Sequence, residues 1–137
     1  MYTNNRDAYR QAFFIAWDKY KKKLPLEPVE SQLIEVILLH PEYHALLERP
    51  NAYEQQEFTF EENPFIRMSL HLTVREQVRT NRPAGVTAIY QELLKKYING
   101  QEVEYRMMEC LAKILLHSQQ SGTMPNEEEY LKQLKVL

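Results

Sequence analysis

The sequence contains a single cysteine, Cys110, so no disulfide can form within the chain. A fold without that staple must hold by packing, and the lack of a thiol pair fits a reducing compartment. Long apolar runs are missing too. The longest is Val36-Ile37-Leu38-Leu39, far short of the roughly 20 residues a helix needs to cross a bilayer. The first residues, Met1-Tyr2-Thr3-Asn4-Asn5-Arg6-Asp7, are polar and do not read as a secretory leader. These absences predict a soluble, cytoplasmic protein with no membrane association.

A dominant charge is also lacking: 17 basic residues face 19 acidic ones, for a formal net charge of −2. Phosphate backbones are bound by concentrated positive fields, so no nucleic-acid partner is expected. The one basic run, Lys21-Lys22-Lys23, reads as a solvated helix end, where lysines suit the negative end of the dipole. Glycine is scarce at three residues, and there is no glycine-rich phosphate loop, no Gly-x-Ser-x-Gly turn and no Cys-x-x-Cys pair. Ser69 and His71 are two positions apart, so on a helix they point in different directions. His117 lies at an apolar edge with no visible partner. No catalytic or cofactor-binding residue stands out, and the balance is against an enzyme.

What is present is an ordinary globular composition, 44% hydrophobic and 26% charged over 137 residues, enough for one hydrophobic core. The reading is a single helical domain over residues 1–137, an all-α bundle of about five to seven helices. From Asp7 to Lys22, the residues Tyr9, Phe13, Ala16, Trp17 and Tyr20 share one face at helical spacing. Pro28 starts a second helix carrying Val29, Leu33, Val36 and Ile37. Pro41 either kinks that helix or ends it, with His40 capping a continuation to about Arg49. Residues 50–62 lack periodicity and read as a surface loop, partly mobile. Asn63-Pro64 opens a helix to about Thr80, and Asn81-Arg82-Pro83 forms a turn. The next helix carries Val86, Ile89, Tyr90, Leu93, Leu94 and Tyr97 and stops at Asn99-Gly100, read as a left-handed exit. Another runs from about Glu102 to Gln120 and ends at Gly122. A last one starts near Asn126, with Glu129 as its capping partner.

Polar residues intrude on the faces that should be dry. Arg67 falls among Ile66, Leu70, Val74 and Val78 on the helical wheel, with His71 just beyond. An unpaired buried guanidinium is too costly to expect, so Arg67 needs an acid or a route to water. Glu104 falls between Leu111 and Leu115, while Tyr105 and Glu109 share one edge and Cys110 lies on the apolar arc as a buried, inert thiol. If Pro41 only kinks its helix, His40 and His44 extend the apolar stripe one turn apart. Such a pair can give a metal two ligands, whereas a sharp break would swing His40 away.

Several stretches resemble signature segments of a bacterial family, the domain-of-unknown-function family 1841. They are His40-Pro41-Glu42-Tyr43-His44-Ala45-Leu46-Leu47-Glu48, Asn63-Pro64-Phe65-Ile66-Arg67-Met68-Ser69-Leu70-His71-Leu72, Arg75-Glu76-Gln77 and Met107-Met108-Glu109-Cys110-Leu111. The similarity runs over nearly the whole chain, from Phe13-Phe14-Ile15-Ala16-Trp17 to Gly122-Thr123-Met124-Pro125. It implies no activity. The family pattern implies histidines where this chain has Arg67 and Tyr105, and hence three one-turn pairs: His40 with His44, position 67 with His71, and position 105 with Glu109. That looks like a carboxylate–histidine metal site in a helical bundle. This chain keeps His40, His44, His71 and Glu109, which would suffice for one divalent ion such as zinc, nickel or iron.

Two functions of different kinds follow. The first is a metal-binding helical protein with those four ligands. The second is a non-enzymatic interaction module that docks a protein partner or forms a homo-oligomer. In the latter, Arg67 stands in for a lost cation and neutralises Glu104 or Glu109 as part of a structural polar core. A hydrolase or oxygenase built on the metal is a third, without a substrate to name.

Overall fold

The computed structural model describes residues 2–53 and 55–137, with side chains described from residue 8 onward. All regular structure among them is helical. The α-helices are α1 (Tyr2–Lys21), α2 (Pro28–Leu38), α3 (His44–Leu47), α4 (Pro50–Tyr53), α5 (Pro64–Thr80), α6 (Val86–Lys96), α7 (Gly100–Ser121) and α8 (Glu127–Lys135). A single 3-10 turn, Pro41–Tyr43, precedes α3. The all-α expectation holds, and two of these eight α-helices, α3 and α4, are single turns. The chain divides inside α5 into two compact units, Met1–Ser69 and Leu70–Leu137.

In the first unit α1 packs on α2. Phe13, Ala16 and Trp17 are buried, as their spacing predicts, and Phe14 joins them. Lys19 Nζ donates to the Glu30 carboxylate at 2.9 Å and links the two helices. Pro28 opens α2, whose first turn is closed by Glu30 reaching back to the Glu27 backbone N–H at 2.8 Å. Leu33, Ile34, Val36 and Ile37 are buried, but Val29 is 65% exposed, so the dry stripe starts one turn later than the pattern suggests.

Pro41 ends this helix rather than kinking it. α2 stops at Leu38, and the N–H groups of Leu39 and His40 fold back to the carbonyls of Val36 and Ile37 at 3.0 Å each. His40 then takes φ −124° and ψ 66°, outside the helical region, as the clash of a following proline ring requires. His40 and His44 therefore do not share one helical face.

The segment read as a loop over 50–62 begins with the helical turn α4 and is anchored by a residue the sequence did not mark. Arg10 is almost wholly buried. Its Nη1 donates to the carbonyls of Gln56 at 2.7 Å and Tyr53 at 3.4 Å. The guanidinium also lies 5.0 Å from the Phe65 ring centre and 5.5 Å from that of Phe58. Carbonyl dipoles and two ring faces thus take the place of an acid beside a buried cation.

Asparagines punctuate both units. Asn63 Oδ1 accepts from the N–H of Phe65 at 2.9 Å and starts α5. In the second unit Asn81 Oδ1 accepts from Gly85 and Thr87 before α6, and Asn126 Oδ1 accepts from Glu129 before α8 at 3.0 Å. Asn99 corrects the sequence reading. It is extended at φ −143°, not left-handed, and its side chain accepts from Glu102 N–H at 2.8 Å as the N-cap of α7. The residue type fits both ends of a helix, and here the capping oxygen decides. Gly122, at φ +69°, does make the expected left-handed exit.

α6, α7 and α8 pack together, burying Val86, Leu93, Val103, Met107, Met108, Leu111, Tyr130 and Leu134. Tyr130 donates to Gln77 Oε1 at 2.6 Å and ties α8 to the end of α5. Among the described residues no helix is long and apolar enough to cross a membrane.

Candidate functional site

In the second unit, α5 carries His71 into a wholly buried position. The carboxylate that meets it comes from the first turns of α7: Glu104 Oε1 lies 2.6 Å from His71 Nε2. Arg75, one turn beyond His71, donates to the same oxygen at 3.3 Å. The Tyr90 hydroxyl of α6 donates to the other oxygen at 3.4 Å. Gly100 makes room for that hydroxyl, since a Cβ there would lie 3.0 Å from Tyr90 Oη. The Tyr105 ring stands edge-on to His71, with centres 5.6 Å apart.

Burial alone would raise the pKa of Glu104. The hydrogen bonds and charges of His71 and Arg75 outweigh it, so the carboxyl titrates below its ordinary value. Tyr90 is pushed the other way, by burial first and then by the Glu104 charge. The cluster is thus a partly buried carboxylate with both oxygens engaged by protein donors.

The first unit holds the other two histidines. His40 is wholly buried, and its Nδ1 lies 3.1 Å from Glu42 Oε2. Its ring stacks on Tyr43 with centres 5.6 Å apart. Burial pushes Glu42 up, but its backbone hydrogen bond, His40 and the charge of Arg67 bring the carboxyl below its ordinary pKa. His44 Nε2 lies 2.8 Å from the Ile37 carbonyl. A carbonyl only accepts, so that nitrogen carries the proton. The His44 ring lies 4.5 Å from that of Trp17, whose Nε1 donates to Glu48 at 3.4 Å.

Of the four expected ligands, His40 and His44 belong to the first unit, and His71 and Glu109 to the second. Glu109 is exposed, and the carboxylate at His71 is Glu104. Among the described residues, no group of three or more His, Cys, Asp or Glu side chains is arranged to hold a metal ion. Arg75 and Tyr90 were missed. Arg75 had a signal, because positions 67, 71 and 75 follow one another at one-turn spacing. Tyr90 had none.

The family model described as Domain of unknown function (DUF1841) matches residues 5–136. The chain belongs to this family. No curated protein and no solved structure matches it. Membership in DUF1841 bears out the resemblance of the signature segments and assigns no activity.

Proposed function

We propose that this member of DUF1841 is a non-enzymatic interaction protein whose inward ionisable groups are structural. The observation that carries this reading is the engagement of Glu104, with His71 and Arg75 on one oxygen and Tyr90 on the other. The two positions where the family resemblance implies histidines serve similar ends. Arg67 helps keep Glu42 ionised beside His40, and Tyr105 packs against His71. Fixed charge and an aromatic ring there do work that otherwise falls to a cation and its ligands. Binding rather than chemistry is also favoured by exposed apolar side chains, with Ile98 at 96%, Met124 at 86% and Val136 at 80%. Elemental analysis of protein purified without a metal-affinity tag tests this. Substoichiometric metal and a melting temperature indifferent to chelator are expected. Near-stoichiometric metal that disappears in His44→Ala would overturn it.

One observation favours a second reading, a single divalent ion such as zinc, nickel or iron held by His40, His44, His71 and Glu109. Each of the three imidazoles has one nitrogen engaged by an oxygen, from Glu42, the Ile37 carbonyl and Glu104 respectively. Metal-ligating histidines are commonly oriented by such an outer contact. The same metal measurement separates the two readings.

A further inference from the structure

We infer that the face formed by α6 and α8 is a self-association surface, occupied by a second copy of this chain with its α8 antiparallel to the first. The inference deepens the interaction reading and depends on it. Ala88, Ile89, Glu92, Leu93, Leu134 and Lys135 line an open groove of about 300 Å³ with an apolar floor. That volume is at the bottom of the range for small-molecule sites and suits a few inserted side chains. Val136, beside Lys135, is left 80% exposed.

Charge selects the occupant. α8 carries Glu127, Glu128 and Glu129 in its first turn and Lys132 and Lys135 in its last. α6 ends on Lys95 and Lys96, and the Lys96 ammonium reaches the carbonyl of Leu137. The basic ends of both helices therefore lie together, and the acidic start of α8 lies at its other end. The dipole of α8 favours this ordering within the helix. Its consequence for association is specific: a parallel copy would set like charges together, whereas a two-fold, antiparallel copy sets each Glu128 against the other's Lys135. A two-fold contact uses one patch twice, so it requires a patch complementary to itself. This one is.

Sedimentation equilibrium on the full chain tests the proposal. Wild-type protein is expected to dimerise. Lys135→Glu and Glu128→Lys, each alone, should weaken dimerisation by about tenfold or more, the effect of facing like charges. Mixing the two variants in equal amounts restores opposite charges at both contacts and should bring the dimer back, an outcome that misfolded variants could not give. A wild-type chain that stays monomeric at every concentration would overturn the proposal, as would a dimer indifferent to both substitutions. Neither result changes metal content, so failure here is distinct from failure of the structural-core reading.

Discussion

His71 and Glu104, 33 residues apart in the chain, meet at 2.6 Å with the imidazole wholly buried. A buried ring can be placed there because its nitrogen has an acceptor waiting, and Glu104 is in turn shared with Arg75 and Tyr90. The contact fixes α5 against α7 in direction as well as in depth, which apolar packing alone does less sharply.

Glu104→Gln keeps the shape of the side chain but removes the charge. At neutral pH it should lower stability by about 1–3 kcal/mol, the scale for a hydrogen bond to a charged group. Glu104 titrates below its ordinary 4.5 in the fold. The folded state therefore binds that proton less readily than the unfolded chain does. Its contribution is full above the ordinary carboxyl pKa and is lost as pH falls through the lower folded value. Thermal unfolding followed from neutral to acid pH should show a shallower acid loss in the variant. Equal melting temperatures at neutral pH would remove the structural role given to this cluster.

Arg10 makes a similar case without an acid. Arg10→Met keeps much of the apolar stem but removes the donor to Gln56 and Tyr53 and the cation over two rings. A loss of about 2–3 kcal/mol is expected from the orphaned carbonyls and the lost charged hydrogen bonds, read as a lower urea midpoint. Limited proteolysis should also cleave the 50–62 segment faster, because Arg10 ties it to α1. Unchanged cleavage would mean the segment is held by other contacts.

These two residues also mark what the sequence could and could not disclose. The helices were legible because apolar spacing and capping residues act locally: Asn63, Gly122 and Asn126 do what their types suggest. Asn99 was misread because asparagine serves both helix ends, and only the direction of its side-chain oxygen separates them. Arg10 left no trace, since its partners are backbone carbonyls 43 and 46 residues away and any sequence supplies carbonyls. For the polar core, the wheel flagged His71 and Glu104 individually. Their pairing depends on how α5 and α7 are set against each other, which periodicity does not encode.

The chain's one tryptophan makes His44 easy to interrogate. Trp17 is buried with the His44 ring 4.5 Å from its own. His44→Ala removes that cover and the donor to Ile37, so Trp17 emission should shift to the red and stability should fall by about 1–3 kcal/mol. The shift should be the same with and without chelator. A shift that chelator reproduces in the wild type would instead favour the metal reading.

Cys110 offers a last test, of packing in the second unit. The thiol is buried, and burial raises its pKa, with Glu109 adding to the rise and Lys113 opposing it. The thiolate is the reactive form, so both access and ionisation slow attack. At mildly alkaline pH the native thiol should react with a disulfide reagent at least roughly tenfold more slowly than in the urea-unfolded chain. As urea is added, the rate should climb with the unfolding transition measured by circular dichroism. A rise well before that transition would mean that α7 opens locally, and that the core around Met107 and Leu111 is less stable than the rest of the fold.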